Sequence, residues 1–246
     1  MSDEILNVAA YRFVALAYLP ALRQRLHDAA AALGLRGTVL LAPEGINLSL
    51  AGAPAPVRQW LDALRQDERF AALAVKESWS ERPPFGRLRV RLKREIIRMD
   101  RPTVQPARGR APSVDAPTLA RWLARGRCDQ GRPLLMLDTR NAFEVDEGAF
   151  DGAVDWRLHR FSEFPQALEQ HRRALAGHTV VSYCTGGIRC EKAALWAQVQ
   201  GLPQVLQLDG GILGYFEQVP GAPHWHGRCV VFDERGALDP TLQATR

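Results

Sequence analysis

The run HTVVSYCTGGIRCEKAALW, residues 178–196, decides the fold of the second half of the chain. Its first part, TVVSYC, is a short, continuous apolar stretch of the kind that forms a strand buried on both faces of a parallel sheet. Its last part continues as EKAALWAQVQGL (191–202), which has helical spacing, and the helix is expected to begin near residues 189–191. Between them lies a loop containing Gly186 and Gly187. Strand, glycine loop and helix in that order place Cys184 at the carboxyl end of a strand, which is the edge where open parallel sheets bind ligands. The two glycines reach backbone torsions closed to other residues, so consecutive N–H groups can turn toward the sulfur. Those donors, the positive end of the helix and Arg189 all favour a thiolate over a thiol, and only the thiolate is a nucleophile. Cys184 is therefore read as a reactive thiolate able to carry sulfur as a persulfide. The alternative is an inert core cysteine at a strand end.

The surrounding segments alternate helix and strand: TLARWLARG (118–126), PLLMLDT (133–139), FSEFPQALEQHRRALAG (161–177) and QVLQLDG (204–210). That alternation describes an open parallel sheet covered by helices. Upstream the pattern differs. NVAAYRFVAL, RGTVLLA, INLSLAG, LAVKESW and GRLRVRLKREII read as strands, while PALRQRLHDAAAALG and the proline-led APAPVRQWLDALRQ read as helices. The opening order βαββαβ is that of a split βαβ, ferredoxin-like domain. Between the two halves, RMDRPTVQPARGRAPSVDAP exchanges apolar periodicity for proline and arginine. The expected organisation is a ferredoxin-like, RNA-binding α+β domain at 1–97, a basic proline-rich linker at 98–116, a parallel α/β domain at 117–220 and a tail at 221–246. The uninterrupted apolar runs fall short of the ~18 residues of a membrane span, and MSDEILNVAA lacks the sections of an export signal. A cytoplasmic, membrane-free protein is expected.

Four cysteines and a net charge of +5 point to thiol chemistry rather than a disulfide framework, and to a polyanionic partner. No CxxC pair is present to build a metal knuckle. His224, His226 and Cys229 form a weak zinc pattern without a fourth ligand, so no metal site is assigned, and no flavin fingerprint is evident. Arg87, Arg89, Arg91 and Lys93 alternate with Leu88, Val90 and Leu92, so in a strand the four cations share one face. Arg94, Arg98, Arg101, Arg108 and Arg110 extend the basic stretch. It reads either as a solvated strand face or as a track for RNA phosphates. Trp79, Phe85 and Tyr215 are available as stacking platforms for an unpaired base.

The segments LLMLDTRNAFEVDEGAFDGAV (134–154), CTGGIRC and LQLDGGILGYF (206–216) together resemble a rhodanese domain. GTVLLAPEGINLSLAG (37–52), taken with CTGGIRCEKA (184–193), resembles more narrowly the rhodanese-containing tRNA uridine hydroxylases, the TrhO or YceA family. This resemblance implies an acylphosphatase-like first domain and a rhodanese-like second one. It also implies oxygen-dependent oxidation of the wobble uridine, position 34 of tRNA, to 5-hydroxyuridine, with tRNA bound at its anticodon region and molecular oxygen as co-substrate. The matching cysteine is Cys184, in a loop completed by Thr185, Gly186, Gly187, Ile188 and Arg189. Glu44 and Asn47, in the turn APEGIN, are implied to position the nucleotide from the cleft between the domains. The longer cysteine-bearing tail of some members is not matched, since this sequence ends soon after WHGRCVVFDERG (225–236).

Loop length bears on a competing activity. Rhodanese-like phosphatases place five residues between cysteine and arginine, whereas four separate Cys184 from Arg189, and Cys190 occupies the phosphatase arginine position. The tighter loop suits sulfur better than phosphate. Cys190 is either a resolving thiol for an oxidised Cys184 or a small apolar residue under the loop. Asp138 and Arg140 are expected to form a charge-paired turn bracing the loop. The second enzymatic reading is a thiosulfate-type sulfurtransferase; a third is a degraded rhodanese retained as an RNA-binding module. Neither the oligomeric state nor the tRNA isoacceptor is legible.

Overall fold

The computed structural model describes residues 4–244 and divides the chain into two compact units. The first runs to Ile97 and includes Phe232–Gly236; the second comprises Arg98–Val231 and the residues from Ala237 onward.

The first unit contains β1 (Ile5–Phe13), α1 (Leu19–Ala32), β2 (Arg36–Ala42), β3 (Gly45–Gly52), α2 (Pro54–Arg65), β4 (Val75–Ser80) and β5 (Leu88–Leu92). Its sheet has the order β4-β1-β3-β2-β5. The first four strands are antiparallel neighbours, and β5 is added parallel to β2. This is the ferredoxin-like arrangement with the extra edge strand of acylphosphatase-like domains. Alternation along the strands sends Leu6, Val8, Val39, Leu41, Ile46, Leu48 and Leu50 into one core. Against them pack Leu22, Leu26 and Ala30 of α1 and Val57, Trp60, Leu61 and Leu64 of α2, at helical spacing. The β2–β3 turn requires glycine at position 45, where φ is 151° and a Cβ would lie 2.1 Å from the Arg12 carbonyl oxygen.

One strand is shorter than the sequence implies. GRLRVRLKREII leaves the sheet after Leu92 because its single neighbour, β2, ends at Ala42, and Leu41–Leu92 is the last pair in register. Arg87 and Lys93 therefore flank β5 rather than lie within it.

The second unit contains β6 (Ser113–Val114), α3 (Ala116–Arg125), β7 (Leu134–Asp138), α4 (Ala142–Glu147), β8 (Gly148–Phe150), β9 (Val154–Asp155), α5 (Phe164–His171) and β10 (Thr179–Tyr183). It continues through α6 (Ile188–Val199), β11 (Val205–Leu208), α7 (Gly211–Gln218), β12 (Trp225–Gly227), β13 (Cys229–Val230) and β14 (Ala237–Leu238). The central sheet, β6-β11-β10-β7-β9, is parallel throughout. β10 lies at its centre and all five of its residues are buried, the polar Thr179 and Ser182 included.

Two stretches differ from the expected organisation. The proline- and arginine-rich residues 98–116 are not a free linker, because Met99, Val104, Pro106 and Ala111 are buried in the second unit and β6 extends its sheet. Their arginines are also engaged: Arg98 pairs with Asp100, Arg101 lies over the Trp196 ring, and Arg110 bridges Glu191 and Asp209. The expected tail is likewise built in. β12 pairs with β8 and β13 with β14, burying Trp225 and Cys229. Within the first unit, Glu234 N donates to the Pro84 carbonyl at 3.0 Å and Arg235 Nη1 to Ser78 Oγ at 2.7 Å.

Candidate active site

Cys184 is the residue after β10, and Gly187, with φ of 100°, turns the chain into α6. The loop is held from below by the start of α7. Ile212 N donates to the Cys184 carbonyl at 2.9 Å and Leu213 N to the Thr185 carbonyl at 3.0 Å. With its carbonyls held on that side, the loop presents its N–H groups to the sulfur. Gly187 N donates to Cys184 Sγ at 3.2 Å, and the amides of Arg189 and Cys190 also hydrogen-bond it. The double glycine Gly210–Gly211 is what lets the two segments meet. A Cβ on Gly211 would lie 2.4 Å from the Cys184 oxygen and 2.7 Å from Gly187 N.

Cys184 and Cys190 have no exposed surface. Burial, the largest influence on Cys184, raises its pKa, yet the balance falls to about 5 because the Cys190 thiol donates to its sulfur, Arg189 supplies positive charge and the loop amides supply donors. Cys190 moves the opposite way, well above an ordinary thiol, because of burial and the neighbouring sulfur anion. The negative charge of the pair therefore resides on Cys184. The ultraviolet absorbance of the thiolate, taken as wild type minus Cys184→Ser, should titrate with a midpoint near 5. A midpoint near the free-thiol value of ~8.5 would remove the nucleophile from the site.

Arg189 is held by a residue that the sequence reading does not single out. Both of its terminal nitrogens reach the carboxylate of Glu144, at 2.6 and 2.7 Å, and both side chains are essentially buried. Burial favours protonation of Glu144, but hydrogen bonds and charge from Arg189, together with the Asn141 amide, hold its pKa below the usual carboxylate value. Glu144 is placed at the start of α4, where its carboxylate accepts from the Asn141 backbone N–H at 3.0 Å and its own N–H donates to the Asn141 carbonyl at 2.9 Å. The signal for it is the spacing N-x-x-E directly after the Asp138–Arg140 turn. Thr185 Oγ1 lies 3.4 Å from the same carboxylate, so Glu144 links α4, the loop and α6.

Asp138 and Arg140 form a fully buried pair with contacts of 2.6–3.2 Å. Arg140 also donates to the carbonyls of Glu144 and Gly148 and lies over the rings of Tyr183 and Trp225. Its contacts are all structural: it fixes the turn that carries Glu144. Cys229 is buried nearby, and burial pushes its thiol up to about 12, which keeps it neutral beside Cys184. Cys128 stands apart, accepting a hydrogen bond from Thr179 Oγ1 at 3.2 Å.

The weak zinc trio does not assemble. His224 and His226 both point at Asp151, while Cys229 is buried against the carbonyl of Val230. Among the described residues no group of three His, Cys, Asp or Glu side chains is arranged to hold a metal ion. Tyr215 is not a stacking platform, being fully buried with its hydroxyl donating to the Pro223 carbonyl; Trp79 packs against the core of the first unit. Glu44 and Asn47 bind backbone: Ile96 N donates to Glu44 Oε1 at 2.8 Å, and Asn47 Nδ2 donates to the Ile96 carbonyl at 3.3 Å. They secure the exit from β5. Arg87, Arg89, Arg91 and Lys93 lie along β5 and its flanks, at the edge of the first unit's sheet.

A thiolate cradled by loop amides at the carboxyl edge of a parallel sheet, closed from beneath by a double glycine, defines a rhodanese-type unit, here joined to an acylphosphatase-like one. Residues 119–218 match the family model of the rhodanese-like domain, and residues 5–96 match that of the UPF0176 acylphosphatase-like domain. Over 242 residues the chain is 64% identical to a tRNA uridine(34) hydroxylase of Variovorax paradoxus strain S110, covering 98% of this chain and 92% of the relative. Over 239 residues it is 59% identical to one from Bordetella avium strain 197N, covering 97% and 98%. The chain belongs to the tRNA uridine(34) hydroxylase family. No helix among the described residues is long and apolar enough to cross a membrane.

Proposed function

We propose that this protein hydroxylates uridine 34 of tRNA at carbon 5, with Cys184 as the catalytic thiolate and molecular oxygen as co-substrate. The observation that carries the reading is identity of 56–64% with proteins named for this reaction, extending across both units rather than over the rhodanese-like part alone. The substrate supplies the C5–H bond. One oxygen atom becomes the C5 hydroxyl and the other leaves as water, which requires two electrons. Cys184 and Cys190 are hydrogen-bonded neighbours, and joining them as a disulfide releases two electrons and two protons. One turnover then balances as uridine plus oxygen plus two thiols giving 5-hydroxyuridine, water and a disulfide, and an external thiol resets the pair.

Each side chain has a separable task in this reading. The loop amides and Arg189 hold sulfur as the anion, Glu144 positions Arg189, and Asp138 with Arg140 fixes the turn that carries Glu144. The cations Arg87, Arg89, Arg91 and Lys93 bind the phosphates of tRNA, with Glu44 and Asn47 setting the direction in which the basic run leaves β5. Replacing the four cations by glutamine should weaken tRNA binding and flatten its salt dependence by ~0.7–0.9 in log–log slope for each phosphate that is no longer neutralised. Unchanged affinity and slope would place the RNA surface elsewhere.

Mass spectrometry of bulk tRNA nucleosides from a strain deleted for the gene tests the reaction itself. Loss of 5-hydroxyuridine and its derivatives, restored by the wild-type gene, is the expected result. An intact nucleoside profile with loss of thiosulfate sulfurtransferase activity would assign the persulfide reaction in its place.

A further inference from the structure

β5 is an edge strand, paired only with β2. Gly37 N donates to the Arg87 carbonyl and Lys93 N to the Leu41 carbonyl, so the odd-numbered peptide groups face β2 and those of Leu88, Val90 and Leu92 face outward. An outward row of this kind must be blocked against strand addition. Here α1 supplies the block, with Arg23 Nε donating to the Val90 carbonyl at 3.0 Å. One donor of the guanidinium is thereby used, and Arg23 lines an open groove of about 470 Å³ together with Pro20, Val90, Arg91, Leu92 and Lys93.

Outside the groove several arginines pair with a carboxylate, among them Arg25 and Arg69 with Asp67, Arg157 with Asp146 and Arg235 with Asp233, while others, such as Arg65 and Arg172, bond a backbone carbonyl. No residue lining the groove is acidic. Asp28, further along α1, feels the charge of Arg23 but accepts its hydrogen bonds from Gln24 and His27. Arg23, Arg91 and Lys93 line this groove together with Pro20 and the 40%-exposed Leu92. A phosphodiester with its sugar has that pairing of anion and apolar face. The planar guanidinium, already oriented by Val90, suits bidentate contact with phosphate oxygens.

We propose that the groove between α1 and β5 is a phosphodiester-binding site for the tRNA backbone, with Arg23 its anchoring residue. The inference rests on the reading that tRNA is the substrate. It adds a helix residue, distant in sequence from the basic strand, and fixes where one phosphate lies.

The test uses the full-length protein, an unmodified tRNA transcript carrying uridine 34, and three variants: Arg23→Gln, Arg23→Lys and Pro20→Glu. Binding is measured as a function of salt, and 5-hydroxyuridine formation as KM and kcat for tRNA. Arg23→Gln should weaken binding several-fold and reduce the salt slope by about 1, with the same effect for tRNAs of different sequence. It should raise KM and leave kcat unchanged, because the groove is not part of the thiolate site. Arg23→Lys should retain most of the slope even where losing the Val90 bond lowers Tm, separating charge from edge capping. Pro20→Glu, at an exposed helix start that tolerates acid, should weaken binding without touching Arg23. Wild-type slope and affinity in Arg23→Gln and Pro20→Glu, beside normal modification by the wild type, would overturn the groove site alone. A wild type that neither binds nor modifies the transcript would overturn the functional reading beneath it.

Discussion

Cys184→Ser is expected to abolish 5-hydroxyuridine formation while leaving the fold and tRNA affinity intact. Serine is smaller by little and keeps an acceptor for Gly187 N, which now lies 3.2 Å from the sulfur, so no buried amide is orphaned. What disappears is the anion. The Cys184 pKa, held near 5, makes the residue ionised across the neutral range, whereas a serine hydroxyl in the same place stays protonated. Loss of an essential nucleophile costs on the order of 10³-fold or more in turnover, and modification by the variant at above about a tenth of the wild-type rate, far outside that range, would exclude a chemical role for this atom. The same pH logic fixes the acid limit of the wild type: activity that depends on the thiolate persists down to about pH 5 and falls below it.

Glu144→Ala is expected to be the most damaging substitution to the fold among the residues around the loop. It leaves the Arg189 guanidinium buried without its two short hydrogen bonds to carboxylate oxygen, and it removes the side chain that caps the Asn141 amide. Breaking a buried ion pair from one side costs about 3–5 kcal/mol, which for a domain of this size is a large part of its stability. Chemical denaturation of the second unit's transition measures it, and a change below about 1 kcal/mol, well under that cost, would mean that Arg189 finds another partner. The pH dependence has a defined sign. The folded pKa of Glu144 lies below its ordinary value of 4.5, so its contribution is complete above that value and is lost as pH falls through the depressed one. Wild-type stability should therefore decline in acid more steeply than that of Glu144→Ala.

The legible parts of the molecule are those whose signal is local. TVVSYC carries no charged residue and is mostly apolar because β10 is covered on both faces. The alternation in RGTVLLA and INLSLAG marks strands with one buried face and one other, and the two-residue turn at Pro43 and Glu44 follows from Gly45. The basic alternation from Arg87 to Lys93 is readable, but not the length of the strand, since β5 ends where its neighbour β2 ends. Residues 98–116 read as a linker for a related reason. Proline and arginine suppress periodicity, yet single apolar residues at Met99, Val104 and Ala111 suffice to bind an irregular segment to a core, and irregular packing leaves no period to detect.

The sequence alone determined the two halves of this protein, their order of elements and the place of Cys184 between a strand and a helix start, because strand and helix periods and glycine torsions are properties of neighbouring residues. Only the tertiary structure decided what surrounds them. Glu144 and Arg189 are 45 residues apart, Arg23 and Val90 67 apart, and Gly211 meets Cys184 across an intervening helix and strand. Charge pairing and backbone approach over such distances depend on burial and register, which the folded chain alone establishes.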